Sequence, residues 1–274
     1  MEEERDRQAL AWQTGVWDRI SNLYWHEIDR RFAPVVENVI TRAGLAPGQR
    51  ALDLGTGTGT VAERAASIVG SNGQVIGVDI SREMLSLAGQ RVAARGLQNI
   101  TFREGRAEAL PAEDADFDTV LASLSLMYVI DRPAAAREIA RVLRPGGHLV
   151  GAAWAGPDQC DIVRFQQTAG SFAPPPPVPG VGPGAMADPG PFLEQLAAAG
   201  IQARVETETL GFDFDDFASA WDVLAGVTTA QLAPDRREEA KRAVQAAMYP
   251  NGDGPRHFRN VTQFIIGERQ ATLR

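Results

Sequence analysis

Residues 51–59, Ala-Leu-Asp-Leu-Gly-Thr-Gly-Thr-Gly, are the stretch of the sequence that decides the fold. Its three glycines lie where a short predicted strand, residues 50–54, meets a segment of helical composition, residues 59–69. Because glycine has no Cβ, the backbone turns sharply there and a ligand can lie directly against it. The amino terminus of the following helix offers N–H groups that no helical carbonyl accepts. The stretch therefore predicts a strand, a ligand-binding turn and a helix.

The same alternation of strand and helix continues through residues 46–155. Strands that alternate with helices in this way form a parallel sheet covered by helices on both faces. Ligands bind such sheets at the carboxyl ends of the strands, where the strand order reverses. We predict an α/β, doubly wound, Rossmann-like fold with a seven-stranded, mostly parallel sheet and a helical cap. The predicted strands are residues 50–54, 74–79, 100–103, 117–122, 148–154, 203–209 and 261–267.

The composition divides the chain into four segments. Residues 1–45 predict an amino-terminal helical cap, and residues 46–155 predict the α/β core. Residues 156–190, rich in Pro and Gly, predict a loop, and its proline-rich run at residues 173–184 is either a stiff surface connection or a cover over the substrate entrance. Residues 191–274 predict closing helices and strands, with a helical cap insertion near residues 213–250.

Charge and composition exclude several classes of protein. The 274 residues include 27 basic and 35 acidic side chains, a net charge of −8, which argues against a broad nucleic-acid surface. The single cysteine, Cys160, excludes a disulfide within the chain and a cysteine-rich zinc site, and no metal is predicted. Residues 1–7 lack the apolar core of a signal peptide, and no apolar run is long enough to cross a bilayer. We therefore expect a cytoplasmic protein without a nucleic-acid or membrane partner, and a homodimer is left open.

Two acidic residues indicate what the glycine loop binds. The dinucleotide fingerprint G-x-G-x-x-G requires a glycine at position 60, which is Thr60. Asp53, two residues before Gly55, would repel a pyrophosphate and attract an ammonium or sulfonium group, or it braces the loop. Asp79 ends the second strand, where a carboxylate accepts hydrogen bonds from ribose hydroxyls, or it caps the next helix. A nicotinamide-dependent oxidoreductase is therefore disfavoured.

The chain resembles the class I S-adenosylmethionine-dependent methyltransferases, most of all the branch that methylates carbon or oxygen of small molecules and quinones. Five motifs in family order carry the resemblance, and they cover residues 45–155. They are Asp53-Leu-Gly-Thr-Gly-Thr-Gly59, Val78-Asp-Ile-Ser81, Glu104-Gly-Arg-Ala-Glu-Ala-Leu-Pro111, Asp116-Phe-Asp-Thr-Val120 and Arg141-Val-Leu-Arg-Pro-Gly-Gly147.

The resemblance implies S-adenosylmethionine as cofactor and S-adenosylhomocysteine as product. It implies that the glycine loop contacts the methionine part and that Asp79 contacts the ribose. Family members commonly carry an aspartate where this chain has Arg106, which either stacks on the adenine or points to solvent. The other implied cofactor-binding residues are Asp53, Gly55, Thr56, Gly57, Gly59, Tyr24, Ser123, Ile80, Met84, Ala107 and Glu108.

The implied reaction is transfer of a methyl group, by in-line displacement, to oxygen or carbon of a small, partly hydrophobic acceptor in secondary metabolism. Such transfer mainly requires positioning and exclusion of water, and a base only where the nucleophile must lose a proton. His26 and His257 are the candidate bases, and Met127 and Tyr128 are candidates for the acceptor cavity. The alternative is an enzyme of the same fold that binds the cofactor and catalyses a cyclisation or decarboxylation.

Overall fold

The computed structural model describes residues 2–271 and, within that range, the side chains of residues 7–271. Met1 and residues 272–274 lie outside the described residues, so the ends of the predicted segments 1–45 and 191–274 do too. The prediction that residues 1–7 form no signal peptide concerns side chains that are mostly outside the described part.

Seven strands form one sheet in the order β3-β2-β1-β4-β5-β7-β6. The first five pair in parallel, whereas β7 is antiparallel to both β5 and β6. This confirms the predicted seven-stranded, mostly parallel α/β fold. The strands are β1 (Arg50–Leu54), β2 (Gln74–Asp79), β3 (Ile100–Glu104), β4 (Phe117–Ser123), β5 (Leu143–Trp154), β6 (Ile201–Phe214) and β7 (Arg256–Arg269).

Ten α-helices flank the sheet within the described range. A π-helical turn, Tyr24–Ile28, joins the first two, and a 3₁₀ turn, Leu126–Tyr128, follows β4. The helices are α1 (Glu2–Leu23), α2 (Asp29–Ala43), α3 (Thr60–Val69), α4 (Arg82–Arg95), α5 (Arg132–Val142), α6 (Asp161–Gly170), α7 (Gly190–Ala198), α8 (Phe217–Leu224), α9 (Gly226–Thr229) and α10 (Pro234–Met248). None of these helices has the length and apolar character needed to cross a membrane.

Apolar side chains cover both faces of the central strands, as parallel strands between two helical layers require. Leu52 in β1 and Val120 in β4 are fully buried. Helix α3 packs on the sheet through residues four apart, Val61, Ala65 and Val69, because these share one helical face. Burial of each Leu or Val side chain contributes roughly 1.5–3 kcal/mol. This packing fixes the position of the turn between β1 and α3.

The strand order reverses beside β1. From β1 the chain continues to β2 and β3 on one side and then crosses to β4 and β5 on the other. The connections that leave β1 and β4 therefore run to opposite faces of the sheet, and a crevice opens between the carboxyl ends of the two strands. The glycine loop, residues 55–59, lies at this crevice.

The predicted loop at residues 156–190 is only partly a loop. It contains helix α6, which buries Ile162, Phe165 and Ala169. These residues have helical spacing in the sequence. The proline-rich run that could not continue a helix begins only after them, at residues 173–184. Within the predicted loop, the structure has a helix at residues 161–170 and neither helix nor strand in the proline-rich run.

The last two strands are longer than predicted. Both β6 and β7 extend past Trp154, the carboxyl end of β5, where residues 209–214 pair with residues 256–261. Helix α8 accordingly begins at Phe217, because the residues up to 214 remain in the strand. The pairing joins segments about forty residues apart, so no local pattern marks where it ends.

Candidate cofactor site

The glycine loop contains glycines with positive φ for two different reasons. Gly57 has φ +53°, and no protein atom lies within 4 Å of the position its Cβ would take. Gly55 has φ +69°, and its Cβ would lie 2.4 Å from the Cβ of Ser125. Gly55 therefore lets the segment after β4 approach the loop, and Gly57 leaves open space above the loop.

The carboxylate of Asp79 faces the glycine loop from the carboxyl end of β2. Its Oδ2 accepts a hydrogen bond from the N–H of Gly57 at 2.8 Å, and its Oδ1 accepts one from the N–H of Ser81 at 3.0 Å. Each oxygen keeps acceptor capacity for another donor. Burial raises the pKa of Asp79 above its usual range. A hydroxyl or cation beside it would favour the ionised form.

Asp53 lies beneath the loop and does not line the cavity. It is only 1% exposed, and its Oδ2 accepts a hydrogen bond from the Thr56 hydroxyl at 2.6 Å. Burial raises the pKa of Asp53 to about 7, although the hydrogen bonds from Thr56 and the N–H of Ala62 act in the opposite direction. Of the two interpretations left open by the sequence, the structure matches the one in which Asp53 braces the loop.

Helix α1 and the π-helical turn close one side of the crevice. Leu10, Gln13, Trp17 and Tyr24 face it together, at intervals of three, four and seven residues. Gln13 donates a hydrogen bond to the carbonyl oxygen of Tyr128 at 2.6 Å, and the Trp17 ring meets the Tyr128 ring edge-on, 4.8 Å between centroids. Burial raises the pKa of Tyr24 well above its usual range, so its hydroxyl stays protonated and can donate a hydrogen bond.

The segment after β4 forms the opposite side. Leu124 has φ +56°, which is uncommon for a residue other than glycine and requires support from its neighbours. Its N–H donates to the carbonyl of Ala152 at 2.9 Å, and the next hydroxyl, of Ser125, donates to the carbonyl of Leu54 at 2.7 Å. These bonds hold Ser123, Leu124 and Ser125 against the cavity.

Together these elements enclose a cavity of about 270 Å³. That volume is near the lower end of the range for small-molecule sites. The cavity brings together most of the residues that the sequence predicted for the site. Those that line it are Tyr24, Gly55, Gly57, Asp79, Ile80, Met84, Arg106, Ala107, Glu108, Ser123 and Tyr128.

The adenine side of the predicted site contains two polar residues with different surroundings. Glu108 Oε1 accepts hydrogen bonds from the N–H groups of Ile130 and Asp131, at 3.0 and 3.2 Å, so this carboxylate is already engaged by the chain. Arg106 is exposed at the rim of the cavity. The second carboxylate oxygen of Glu108 therefore remains available for the polar contact predicted for this residue.

Several predicted residues do not line the cavity. Met127 is 1% exposed and belongs to the hydrophobic core, whereas its neighbour Tyr128 lines the cavity. Consecutive residues of a 3₁₀ turn point about 120° apart, which explains why only one of the pair faces inward. The prediction that Met127 faces the acceptor cavity is corrected. The predicted residues outside the cavity are Asp53, Thr56, Gly59, Met127, His26 and His257.

The two candidate bases are also outside. His26 is exposed on the π-helical turn, two residues after Tyr24, and residues two apart on a helix do not share a face. His257 is exposed on the extension of β7, where its Nδ1 lies 2.8 Å from the carboxylate of Asp213 on β6. Neither histidine lines the cavity, and the role of either as a base stays a prediction.

Sequence reasoning missed part of the lining. The helical spacing of Leu10, Gln13 and Trp17 ahead of Tyr24 could have revealed the contribution of α1. The loop after the 3₁₀ turn carries no motif, so nothing in the sequence marked it. Among residues 7–271, no group of three side chains is arranged to hold a metal ion. The missed lining residues are Leu10, Gln13, Trp17, Leu54, Val78, Gly105, Leu124, Ser125, Val129, Ile130, Asp131 and Ala134.

Comparison with known protein families assigns the core. Residues 45–161 match the model of a methyltransferase domain. The ubiquinone/menaquinone biosynthesis C-methyltransferase UbiE of Serratia proteamaculans is 36% identical over 143 residues, 52% of this chain and 55% of that protein. The chain spans about half the length of the curated relatives it matches.

Solved structures share the fold. The YcgJ protein of Bacillus subtilis aligns with a TM-score of 0.64 at 20% identity, over 86% of this chain and 98% of that chain. The phosphoethanolamine N-methyltransferase 2 of Haemonchus contortus, solved with phosphomonomethylethanolamine and S-adenosylhomocysteine, aligns with a TM-score of 0.59 at 18% identity. That alignment covers 93% of this chain and 58% of that chain. The family model and the curated relatives, together with the five sequence motifs, identify residues 45–161 as a methyltransferase domain of the class I, S-adenosylmethionine-dependent type, and the solved structures share its fold.

Proposed function

We propose that this protein moves a methyl group from S-adenosylmethionine to oxygen or carbon of a small, partly hydrophobic organic acceptor. The observation that carries the proposal is the cavity at the reversal of strand order, where the open space above Gly57 meets the carboxylate of Asp79. Both belong to the segment that matches the methyltransferase domain. S-adenosylmethionine, when bound, supplies an electrophilic methyl group.

The residues present fit this cofactor. Asp79 retains acceptor capacity on both oxygens, which suits the two hydroxyls of a ribose. The neighbouring lining is apolar at Ile80, Met84 and Ala107, which suits the faces of an adenine ring. Gly57 has no side chain to fill the space that the methionine part requires. This set supports the proposed orientation, with the adenine toward Ala107 and the methionine toward Gly57.

The other end of the cavity is proposed to present the methyl group to the acceptor. Ser123 and Tyr24 line the cavity, and we propose that they lie at this end, where the protonated hydroxyl of Tyr24 is suited to donate a hydrogen bond to the methionine carboxylate. Trp17 and Tyr128 offer aromatic surface that excludes water and suits a partly hydrophobic acceptor. Since neither His26 nor His257 reaches the cavity, we propose that positioning rather than a histidine base drives the reaction.

The proline-rich run is proposed to border the acceptor entrance. The N–H of Gly182 donates to the carbonyl of Met127 at 3.0 Å, and Arg132 donates to the carbonyl of Gly180 at 2.5 Å. The run therefore lies against the 3₁₀ turn that carries Tyr128. This arrangement supports the second interpretation of the sequence, a cover over the substrate entrance. We propose that residues 1–45 and the helices near 213–250 complete the cap.

The test is a product assay with S-adenosylmethionine carrying a tritiated methyl group and a panel of phenols, quinols and enolisable small molecules. Methyl transfer predicts that label appears in an acceptor in step with formation of S-adenosylhomocysteine. An acceptor that is converted without either product would favour the alternative, a cyclisation or decarboxylation on the same fold. A protein that binds neither adenosyl compound contradicts both.

A further inference from the structure

Four side chains from separate elements meet beside the glycine loop, and none of them lines the cavity. Trp25 belongs to the π-helical turn, Asp29 begins α2, Thr58 lies in the loop and Arg91 belongs to α4. We call them the Asp29 cluster. The proposed reaction assigns them no contact with cofactor or acceptor.

Thr58 is held through both its side chain and its backbone. Thr58 is only 1% exposed. Its hydroxyl lies 2.7 and 2.9 Å from the two carboxylate oxygens of Asp29. The carbonyl oxygen of Thr58 accepts a hydrogen bond from Nε of Arg91 at 2.8 Å. The same guanidinium donates through Nη2 to Asp29 at 2.5 Å. The loop is therefore fixed to α2 and α4 by charge-assisted bonds, which are stronger than neutral ones.

Arg91 extends the cluster to the π-helical turn. Its guanidinium carbon lies 4.5 Å above the ring of Trp25, within the range of a cation–π contact. The turn itself is closed by the N–H of Asp29, which donates to the carbonyl of Tyr24, five residues earlier. Single π-helical turns occur frequently at functional sites. The side chains of Arg91 and Asp29 are only 18% and 12% exposed, so water screens their attraction little.

The order of residues along the chain connects this cluster to the cavity. Thr58 directly follows Gly57, and Trp25 directly follows Tyr24, and both Gly57 and Tyr24 line the cavity. The cluster thus fixes two walls of the cavity, the glycine loop and the π-helical turn, relative to each other. A buried ion pair adds little to the free energy of unfolding compared with apolar packing of the same volume. The contribution of the Asp29–Arg91 pair is therefore to fix the positions of the loop and the helices that it joins.

We infer that the Asp29 cluster is a positioning device for the cofactor site, which holds the glycine loop and the amino-terminal helices in register so that Gly57 and Tyr24 face the same ligand. The inference rests on the proposed function. It predicts that loosening the cluster weakens binding although no contact to the ligand is removed, because the ligand must then order the two walls itself.

The test compares Thr58→Val with Thr58→Ser. Valine keeps the shape of threonine and removes the hydroxyl, whereas serine keeps the hydroxyl. We expect Thr58→Val to raise the Kd for S-adenosylhomocysteine about tenfold or more, and Thr58→Ser to bind like the parent chain. Amide hydrogen exchange without ligand should be faster in residues 24–31 for the valine variant alone.

Thr119→Val is the matched control. Thr119 is equally buried, at 1% exposure, and its hydroxyl has no hydrogen-bond partner among the described residues. It lies in β4 and does not line the cavity. Its substitution should leave the Kd unchanged. A merely structural role of Thr58 would lower the temperature of unfolding but leave the Kd of the folded protein unchanged.

The outcomes separate the inference from the proposed function. If the parent chain binds S-adenosylhomocysteine and Thr58→Val binds equally well, the inference is overturned and the proposed function stands. If the parent chain binds neither adenosyl compound, the proposed function fails and the inference fails with it. If circular dichroism shows that Thr58→Val does not fold, Asp29→Asn decides in the same way. This variant keeps an acceptor for Thr58 but loses the nearer of the two carboxylates that pair with Arg91, while Glu63 remains at 3.4 Å.

Discussion

Replacing Gly57 by alanine is expected to remove most of the cofactor affinity while leaving the protein folded. The residue has φ +53°, and its Cβ would meet no protein atom within 4 Å, so the new methyl group would enter the cavity. The left-handed backbone costs about 1–2 kcal/mol of stability for a residue with a Cβ. Steric overlap with a closely packed ligand costs about 1–3 kcal/mol more, which raises the Kd about 5- to 150-fold.

Gly44 provides a matched control for the backbone effect. It ends α2 with φ +56°, and again no atom lies within 4 Å of its Cβ position, but it does not line the cavity. Urea unfolding should show a similar loss of stability for Gly44→Ala and Gly57→Ala. Calorimetric titration with S-adenosylhomocysteine should show weaker binding for Gly57→Ala alone. Equal affinities for the two variants would refute the placement of the ligand above the loop.

Three further predictions concern single residues. Asp79→Asn should weaken S-adenosylhomocysteine binding about tenfold or more, because one acceptor oxygen becomes a donor, with an unchanged circular dichroism spectrum; undiminished affinity would exclude the ribose contact. Gly55→Ala should lower the free energy of unfolding by about 3 kcal/mol or more, measured with urea, because its Cβ would lie 2.4 Å from that of Ser125 at φ +69°. Asp53 has a folded-state pKa raised from 3.8 to about 7, so its ionisation destabilises the fold as pH rises through that window. Without ligand, the free energy of unfolding of Asp53→Asn relative to the parent should therefore rise by up to about 1.4 kcal/mol per pH unit from about pH 4 to about pH 7. A difference in urea unfolding that does not change with pH would contradict this.

The parallel part of the fold could be predicted from the sequence because its signals are local. The central strands β1, β2 and β4 are short, mostly apolar runs buried on both faces, and a helical segment follows each, whereas the edge strand β3 is largely exposed. The crevice could be predicted for the same reason, because the glycine spacing at residues 55–59 and the position of Asp79 at a strand end are also local signals. Right-handed crossovers then leave few arrangements of the strands.

The remaining features depend on contacts between distant segments. The extension of β6 and β7 requires pairing across the helices α8 to α10, and no local pattern sets its length. The sequence placed Asp53 next to the glycine loop, but whether its carboxylate points to the ligand or beneath the loop depends on the hydrogen bond to Thr56. Residues two apart on a helix do not share a face, so Tyr24 and His26 could not both face inward, but which of the two lines the cavity depends on how the amino-terminal helices pack on the sheet.

The most direct test of the central claim, that the crevice binds S-adenosylmethionine, is isothermal titration of the parent chain with that compound, with S-adenosylhomocysteine and with NAD. The cavity beside Asp79 and Gly57 predicts saturable binding of both adenosyl compounds and none of NAD, since Thr60 replaces the glycine that a dinucleotide loop requires. Binding of NAD alone, or of none of the three by protein shown by mass spectrometry to carry no bound ligand, would contradict the account.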